Sequence, residues 1–250
     1  MSAGVLDSKT PMTIEPREDQ VRILFADEYF LAIDKPAGLK IHPSATSDAD
    51  EPSALKWVRN HVGKKVYPIH RLDQPTSGVL LFALDKKSAA LAQQKFEKRT
   101  IAKSYLAVVE GLVRDNWINS DPLRSTGDGP WQEALTSFKR VLPSIAVQGK
   151  SLEIIHLSLL LAQPTTGRFH QIRRHLADRG NPVVGDFRYA GMARSFELCE
   201  RLHLGTRMLL QAWRLELEHP VTTEPLRIEA PLDPLFTNLF PTLATGILEL

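Results

Sequence analysis

Cysteine is nearly absent: Cys199 is the single one in 250 residues. That excludes an internal disulfide and a cysteine-built metal cluster, and it points to a reducing, cytoplasmic setting. Long apolar runs are missing too. The opening segment MSAGVLDSKTPMTIEPRED carries none of signal-peptide length, and no stretch approaches the roughly 18 apolar residues of a membrane span. No membrane association is expected. Internal repeats and low-complexity tracts are lacking. The familiar catalytic motifs are lacking as well. Gly127-Asp128-Gly129 has neither the third glycine nor the preceding strand of a phosphate-binding loop. There is no G-x-S-x-G elbow. His70-Arg71 is followed by Asp73 one place too late for a kinase catalytic loop, and no Asp-Phe-Gly follows. His170 and His175 stand five apart, about 140° around a helix, so they share no face as zinc ligands would. No metal site and no cofactor are expected.

What is present is an ordinary globular composition, with 43% hydrophobic and 24% charged residues. Net charge is only +2, but its distribution is uneven. Residues 85–105 hold six basic side chains against two acids. Residues 168–189 hold five arginines against Asp178 and Asp186, and residues 215–250 hold six acids against Arg227 alone. A basic face is the electrostatic footprint of a phosphate partner, although charge runs alone are more simply solvated surface.

Along the chain, residues 1–20 read as an N-terminal arm and 21–250 as one catalytic domain. VRILFAD and YFLAIDKP form a candidate hairpin around Asp27-Glu28. SALKWVRNHV and Lys86 to Lys98 have helical character; in the second, Ala89, Ala92 and Phe96 recur at three and four residues. GVLLFALD, SYLAVVEG, ALTSFKRVL and Leu152 to Leu161 read as strands, with HPSATSDADEPS and RSTGDGPWQ as loops. RFHQIRRHLADRG reads as a helix of about three turns stopped by Gly180. RMLLQAWRLELEHP alternates late, as a half-exposed strand does. Strands outnumber helices without regular alternation, so the expected class is α+β: a mixed or largely antiparallel sheet with helices on its faces.

Asp73, beside Thr76 and Ser77, reads in isolation as a turn or cap residue. Its neighbourhood changes that. His70-Arg71-Leu72-Asp73-Gln74-Pro75-Thr76-Ser77-Gly78 resembles the H-R-L-D-x-x-T-S-G signature of RluA-type RNA pseudouridine synthases. Lys35-Pro36-Ala37-Gly38 with His42-Pro43 is similar to that family's K-P-x-G…H-P turn. Residues 103–111 are similar to its K-x-Y-x-A-x-V-x-G strand, and residues 166–175 to its T-G-R-x-H-Q-I/L-R-x-H segment, with Pro182 to Asp186 continuing it. Four motifs in order span roughly residues 21 to 232.

The resemblance implies a long mixed, mostly antiparallel sheet with a central active-site cleft. With the first motif at Lys35, no N-terminal S4-type RNA-binding domain is expected. It also implies the reaction. A uridine's N1–C1′ bond is broken and the base rejoined through C5, without redox cofactor or energy source. The base must leave its stack first. A carboxylate must then act at the ribose, as nucleophile at C1′ or base at C2′; by resemblance this is Asp73. Arg168 is the implied cationic partner of Asp73, phosphate binding being its other reading. Tyr105 is implied to stack on the flipped uracil, with its hydroxyl near C5; otherwise it is a half-buried strand aromatic. Arg71 fills the space left by the base, contacts phosphate, or makes a structural ion pair. His70, Lys103, His170, Gln171, Arg173 and Arg174 are implied RNA contacts, with at least one of the last two arginines on phosphate.

The expected partner is RNA, recognised by loop shape and backbone contacts. Q-I-R-R-H-L-A-D and R-M-L-L-Q-A resemble the tRNA-acting, TruC-like branch; large-subunit rRNA is the alternative. A monomer without an obligatory protein partner is expected. A catalytically inactive RNA-binding module is the rival reading, opposed by the combined presence of Asp73, Tyr105 and Arg168. A carboxylate hydrolase would need a second acid; Asp186 reads instead as part of a structural turn.

Overall fold

A computed structural model describes residues 20–43, 51–125, 129–149 and 153–245. The N-terminal arm expected at 1–20 lies outside the described residues except for its last position, as do the middle of the loop after His42 and the tip of the loop at 126–128.

The chain runs through β1 (Arg22–Ala26), β2 (Phe30–Lys35), α1 (Ala54–Val62), β3 (Tyr67–Pro68), β4 (Ser77–Ala83), α2 (Lys86–Glu97) and β5 (Ala102–Glu110). It continues through β6 (Trp117–Asn119), β7 (Leu123–Arg124), β8 (Trp131–Gln132), β9 (Thr136–Arg140), β10 (Ile145–Gln148) and β11 (Ile154–Pro164). Then come α3 (Gln171–Asp178), α4 (Met192–Arg201), β12 (Leu210–Glu218), β13 (Pro225–Glu229) and α5 (Pro234–Leu239). Eleven described strands form one sheet in the order β1-β2-β4-β12-β5-β11-β9-β6, with β3 on β4, β13 on β12 and β10 on β11. Every pairing is antiparallel except β4 with β12. This is the α+β class, as a mixed sheet with flanking helices.

Local chemistry sets the boundaries. Asp27 closes the first hairpin by accepting from the Tyr29 and Phe30 N–H groups. Ser53 caps α1 and Asp85 caps α2 through their side chains, each accepting from a backbone N–H three residues on. Helices cover both faces of each half of the sheet. Leu80 and Phe82 pack with Ala54 and Val58 of α1 on one face, and Leu81 with Ala89 and Ala92 of α2 on the other. In the second half, Leu159 and Leu161 pack with Leu198 of α4, and Leu160 with Ile172 and Leu176 of α3. Double coverage explains why β4 and the Leu159 to Ala162 stretch of β11 read as apolar runs rather than alternating ones.

It also corrects one expectation. β12 is not half-exposed; Leu210 to Leu215 are all buried, because the strand lies between β4 and β5 at the centre of the sheet. The loop read across RSTGDGPWQ is in part a hairpin, since Leu123 and Arg124 pair with Gln132 and Trp131. The helix read from Arg168 begins only at Gln171, because His170 takes a left-handed conformation with φ of 54° and interrupts the helical path.

The two halves meet at the parallel junction. Ala212 of β12 is in register with Gly78 of β4 on one side and Tyr105 of β5 on the other. Gly78 has φ of 106°, and a Cβ there would meet the Ala212 carbonyl oxygen at 2.1 Å. Glycine therefore permits the close approach that brings the loop before β4 alongside β5.

Candidate active site

That loop carries Ile69 to Thr76. It is tied down at several points. The Ile69 N–H donates to the Leu81 carbonyl, and the Leu81 N–H donates back to Nε2 of His70 at 3.1 Å. His70 also stacks on Phe96. Burial, with help from the charge of Lys103, pushes the His70 pKa down to about 4, which keeps Nε2 free to accept. Leu72 is buried beneath the loop, and the Thr76 N–H closes a turn onto the Asp73 carbonyl.

The K-P-A-G turn is bolted to the same loop. Lys35 is fully buried, and its ammonium donates to the carbonyls of Pro36, Leu39 and Gln74 at 2.9–3.1 Å. Three donors meet three acceptors. The Gly38 N–H donates to the Gln74 carbonyl, and Gln74 Nε2 donates to the Gly38 carbonyl. Asp73 is thus held through Gln74, the residue that follows it.

The Asp73 carboxylate opens on a cavity also lined by Arg71, Tyr105, Arg168, Phe169, His170 and Arg173. Its ion-pair partner is Arg173, whose Nη1 lies 3.1 Å from Oδ2. This corrects the pairing expected with Arg168. Arg168 sits in the loop before α3, where its Nε donates to the Glu133 carbonyl at 2.9 Å. Arg173 comes from the first turn of α3 and points inward. Asp186 grips its other side, with contacts of 2.7 and 2.8 Å. Burial opposes charge on this guanidinium, but the two carboxylates outweigh burial and raise its pKa. Asp186 is 1% exposed and accepts as well from the N–H groups of Arg188 and Tyr189. It is a turn residue, as its setting suggests, and also the anchor of the Asp73 cation.

His170 lies beside Asp73, with Nε2 3.8 Å from Oδ1, while its Nδ1 shares a hydrogen bond of 2.9 Å with the Tyr189 hydroxyl. Burial drives its pKa down to about 4 against the pull of Asp73, so the ring is neutral near pH 7. Tyr105, half-buried on β5, has its pKa raised first by burial and then by the charge of Asp73. The phenol therefore stays protonated at neutral pH and offers an aromatic face. Lys103 donates to the Thr166 carbonyl at 3.1 Å, and burial lowers its pKa to about 8.

Three of the expected RNA contacts turn inward instead. Gln171 is buried; its Oε1 accepts from the Arg168 N–H and the Thr166 hydroxyl, and its Nε2 donates to the Leu135 carbonyl and the Thr136 hydroxyl. With its amide fully engaged, it joins the loop before α3 to β9. Arg173 is spent on two carboxylates rather than on phosphate. His70 holds the Asp73 loop to β4. Arg174 remains half-buried, with Nη1 on the Arg124 carbonyl at 2.7 Å. Arg71 is exposed, and its guanidinium lies over the Phe169 ring at 5.7 Å. Sequence reading missed Lys35 as a staple, and Asp186 and Tyr189 as supports. A carboxylate directly after a buried glycine turn is the one signal that could have marked Asp186.

Among the described residues, no helix is long and apolar enough to cross a membrane. Residues 29–178 match the family model described as RNA pseudouridylate synthase. Among curated proteins, the chain is 33% identical over 231 residues to tRNA pseudouridine synthase C of Haemophilus ducreyi, spanning 88% of this chain and 95% of that protein. It is 35% identical over 234 residues to tRNA pseudouridine synthase C of Pasteurella multocida, spanning 88% and 94%. The fold is similar to that of human RNA Pseudouridylate Synthase Domain Containing 1, with a TM-score of 0.69, 24% identity, and coverage of 94% of this chain and 97% of that one.

Proposed function

This chain belongs to the RNA pseudouridylate synthase family, and from that premise we propose that it isomerises a uridine of tRNA to pseudouridine, with Asp73 acting at the ribose. The observation that carries the reading is the Asp73–Arg173 ion pair in the wall of a cavity lined by arginines and aromatic rings. The names of the relatives, tRNA pseudouridine synthase C, support tRNA as the substrate class.

The chemistry follows from the groups around the cavity. A uridine leaves its stack and enters beside Tyr105, whose protonated ring supplies a stacking face. Asp73, held in place by its ion pair with Arg173, attacks C1′ or removes the C2′ proton; both routes break the N1–C1′ bond. The uracil turns, C5 bonds to C1′, the C5 proton leaves to solvent and N1 takes up a proton. The net change is an isomerisation. Arg173 is a positioning residue, because it touches the carboxylate and not the substrate. Arg168, Lys103 and Arg71 stand at the cavity and supply positive charge toward the phosphates. His170 lies within reach of the ribose side of Asp73. In this reading residues 21–250 act as the catalytic domain, with the first 20 as an arm, and the protein works as a cytoplasmic monomer without an obligatory protein partner.

Tritium release from RNA labelled at C5 of uridine tests the reading, with wild type and Asp73→Asn on tRNA and on ribosomal RNA pools. Release from tRNA by wild type, abolished in the variant, is the expected result. Release confined to ribosomal RNA overturns the substrate assignment, and no release from either pool overturns the isomerase assignment.

A further inference from the structure

Phe169 occupies a variable position of its motif, yet it lines the catalytic cavity and is only half-buried. Its ring lies flat on His170, with centroids 3.7 Å apart and an angle of 20° between the planes. His170 in turn directs its Nε2 at Asp73, 3.8 Å away. The ring therefore sits one aromatic layer from the catalytic carboxylate. Two guanidinium groups stand over it, that of Arg71 at 5.7 Å and that of Arg188 at 5.8 Å from the centroid. Arg71 comes from the Asp73 loop, and Arg188 from the turn after Asp186. Both arginines are exposed, and among the described residues neither has a carboxylate within ion-pair distance.

An apolar ring flanked by two unpaired cations is complementary to a nucleotide, which is an aromatic plane next to a phosphate. The uridine that reacts is already accounted for, since Asp73 takes its ribose and Tyr105 its base. We propose that Phe169 is the stacking seat for the unpaired base next to the flipped uridine, with Arg71 and Arg188 holding the adjoining phosphates. On RNA binding the base takes the ring face over which a guanidinium now rests. Phe169 would thus be a specificity-determining residue, one that reads the nucleotide flanking the target rather than the target. Large planar purines bury more of the ring than pyrimidines do, so a purine neighbour is favoured.

This inference rests on the isomerase reading, and the test separates the two. Wild type is first assayed for C5 tritium release; absence of release from every RNA defeats the isomerase reading before any variant is made. The tRNA that is turned over is then prepared with 2-aminopurine immediately 5′ or 3′ of the modified uridine, and separately with an abasic nucleotide there. Phe169→Leu keeps bulk without the aromatic face, and Phe169→Tyr keeps the face. Wild type and Phe169→Tyr are expected to quench the 2-aminopurine at one of the two positions, and Phe169→Leu is expected not to. Phe169→Leu should lose about 5- to 150-fold in kcat/KM, expressed mainly in KM. The abasic substrate should cost wild type a similar factor and cost Phe169→Leu almost nothing further, because both changes delete one contact. Equal quenching by wild type and Phe169→Leu, or independent losses from the variant and the abasic site, would overturn the proposal. Circular dichroism and the melting midpoint confirm that Phe169→Leu is folded; if it is not, Phe169→Met replaces it under the same criteria.

Discussion

Arg173 donates to Asp73 and Asp186 at once, with one contact of 3.1 Å to the first and a two-pronged contact of 2.7 and 2.8 Å to the second. Asp186 is therefore what gives Asp73 a cation of fixed position. Asp186→Asn keeps the shape and removes the charge, leaving the guanidinium with one carboxylate in a buried setting. Breaking a buried pair costs on the order of 3–5 kcal/mol. A lower melting midpoint is expected, together with a fall of at least about 10-fold in single-turnover rate at saturating RNA, while KM changes less because no RNA contact is lost. Wild-type melting and wild-type rate in the same variant would sink this account.

Acid should destabilise the protein partly through His70, alongside His170, whose pKa burial likewise pushes down to about 4. The pKa of His70 is pushed to about 4 in the fold, by burial first and then by Lys103, against about 6.5 in an unfolded chain. Between those values the unfolded chain binds more protons, so stability is fully present above pH 6.5 and is lost as pH falls toward 4. The His70 contribution is on the order of 3 kcal/mol. His70→Gln can still accept from the Leu81 N–H but does not titrate. Denaturant unfolding at pH 7, 5.5 and 4.5 should show a shallower acid loss for the variant than for wild type; identical slopes would remove His70 from the explanation.

Exposed arginines without carboxylate partners should act on RNA affinity through salt. Arg71→Gln and Arg188→Gln are each expected to weaken tRNA binding and to lower the slope of log affinity against log salt by about one, the signature of one phosphate contact. Arg173→Gln is expected to leave that slope unchanged, because its guanidinium faces two carboxylates. Fluorescence anisotropy titrations across a salt series decide the matter, and a reduced slope for Arg173→Gln would contradict the inward assignment.

These outcomes turn on contacts that sequence reading could place only in part. β4 was legible because a short apolar run flanked by turn residues reads as a buried strand, and α2 because Ala89, Ala92 and Phe96 recur at helical spacing. Asp73, Tyr105 and the arginine-rich segment were legible from motif order. Which arginine meets Asp73 was not. The choice depends on where α3 begins, and that is set by the left-handed His170, whose backbone conformation no periodicity reveals. Gln171 and His70 read as RNA contacts implied by the family resemblance. Their partners, Leu135, Thr136 and Leu81, lie 10 or more residues away in the chain and are brought close only by the sheet.

The K-P-A-G turn yields the last prediction. Lys35 is fully buried, and its ammonium satisfies three carbonyls, one of them on Gln74, the residue after Asp73. Lys35→Met fills similar space but donates nothing, and each buried carbonyl left without a donor costs about 1–3 kcal/mol. The Gln74 carbonyl keeps the Gly38 N–H and the Pro36 carbonyl keeps a long contact of 3.4 Å from the Leu39 N–H, so the Leu39 carbonyl bears most of the loss and the Pro36 carbonyl the rest. A total near 3 kcal/mol lowers the melting midpoint by about 6–12 °C in a domain of this size. The rate should fall as well, because the loop that aims Asp73 loses its clamp, while tRNA affinity in the binding assay stays near wild type because Lys35 reaches no solvent. Lowering the assay temperature should restore part of the lost rate if the defect is loop order. A variant that melts like wild type, or that loses affinity before rate, would show that the turn does not act on Asp73 in this way.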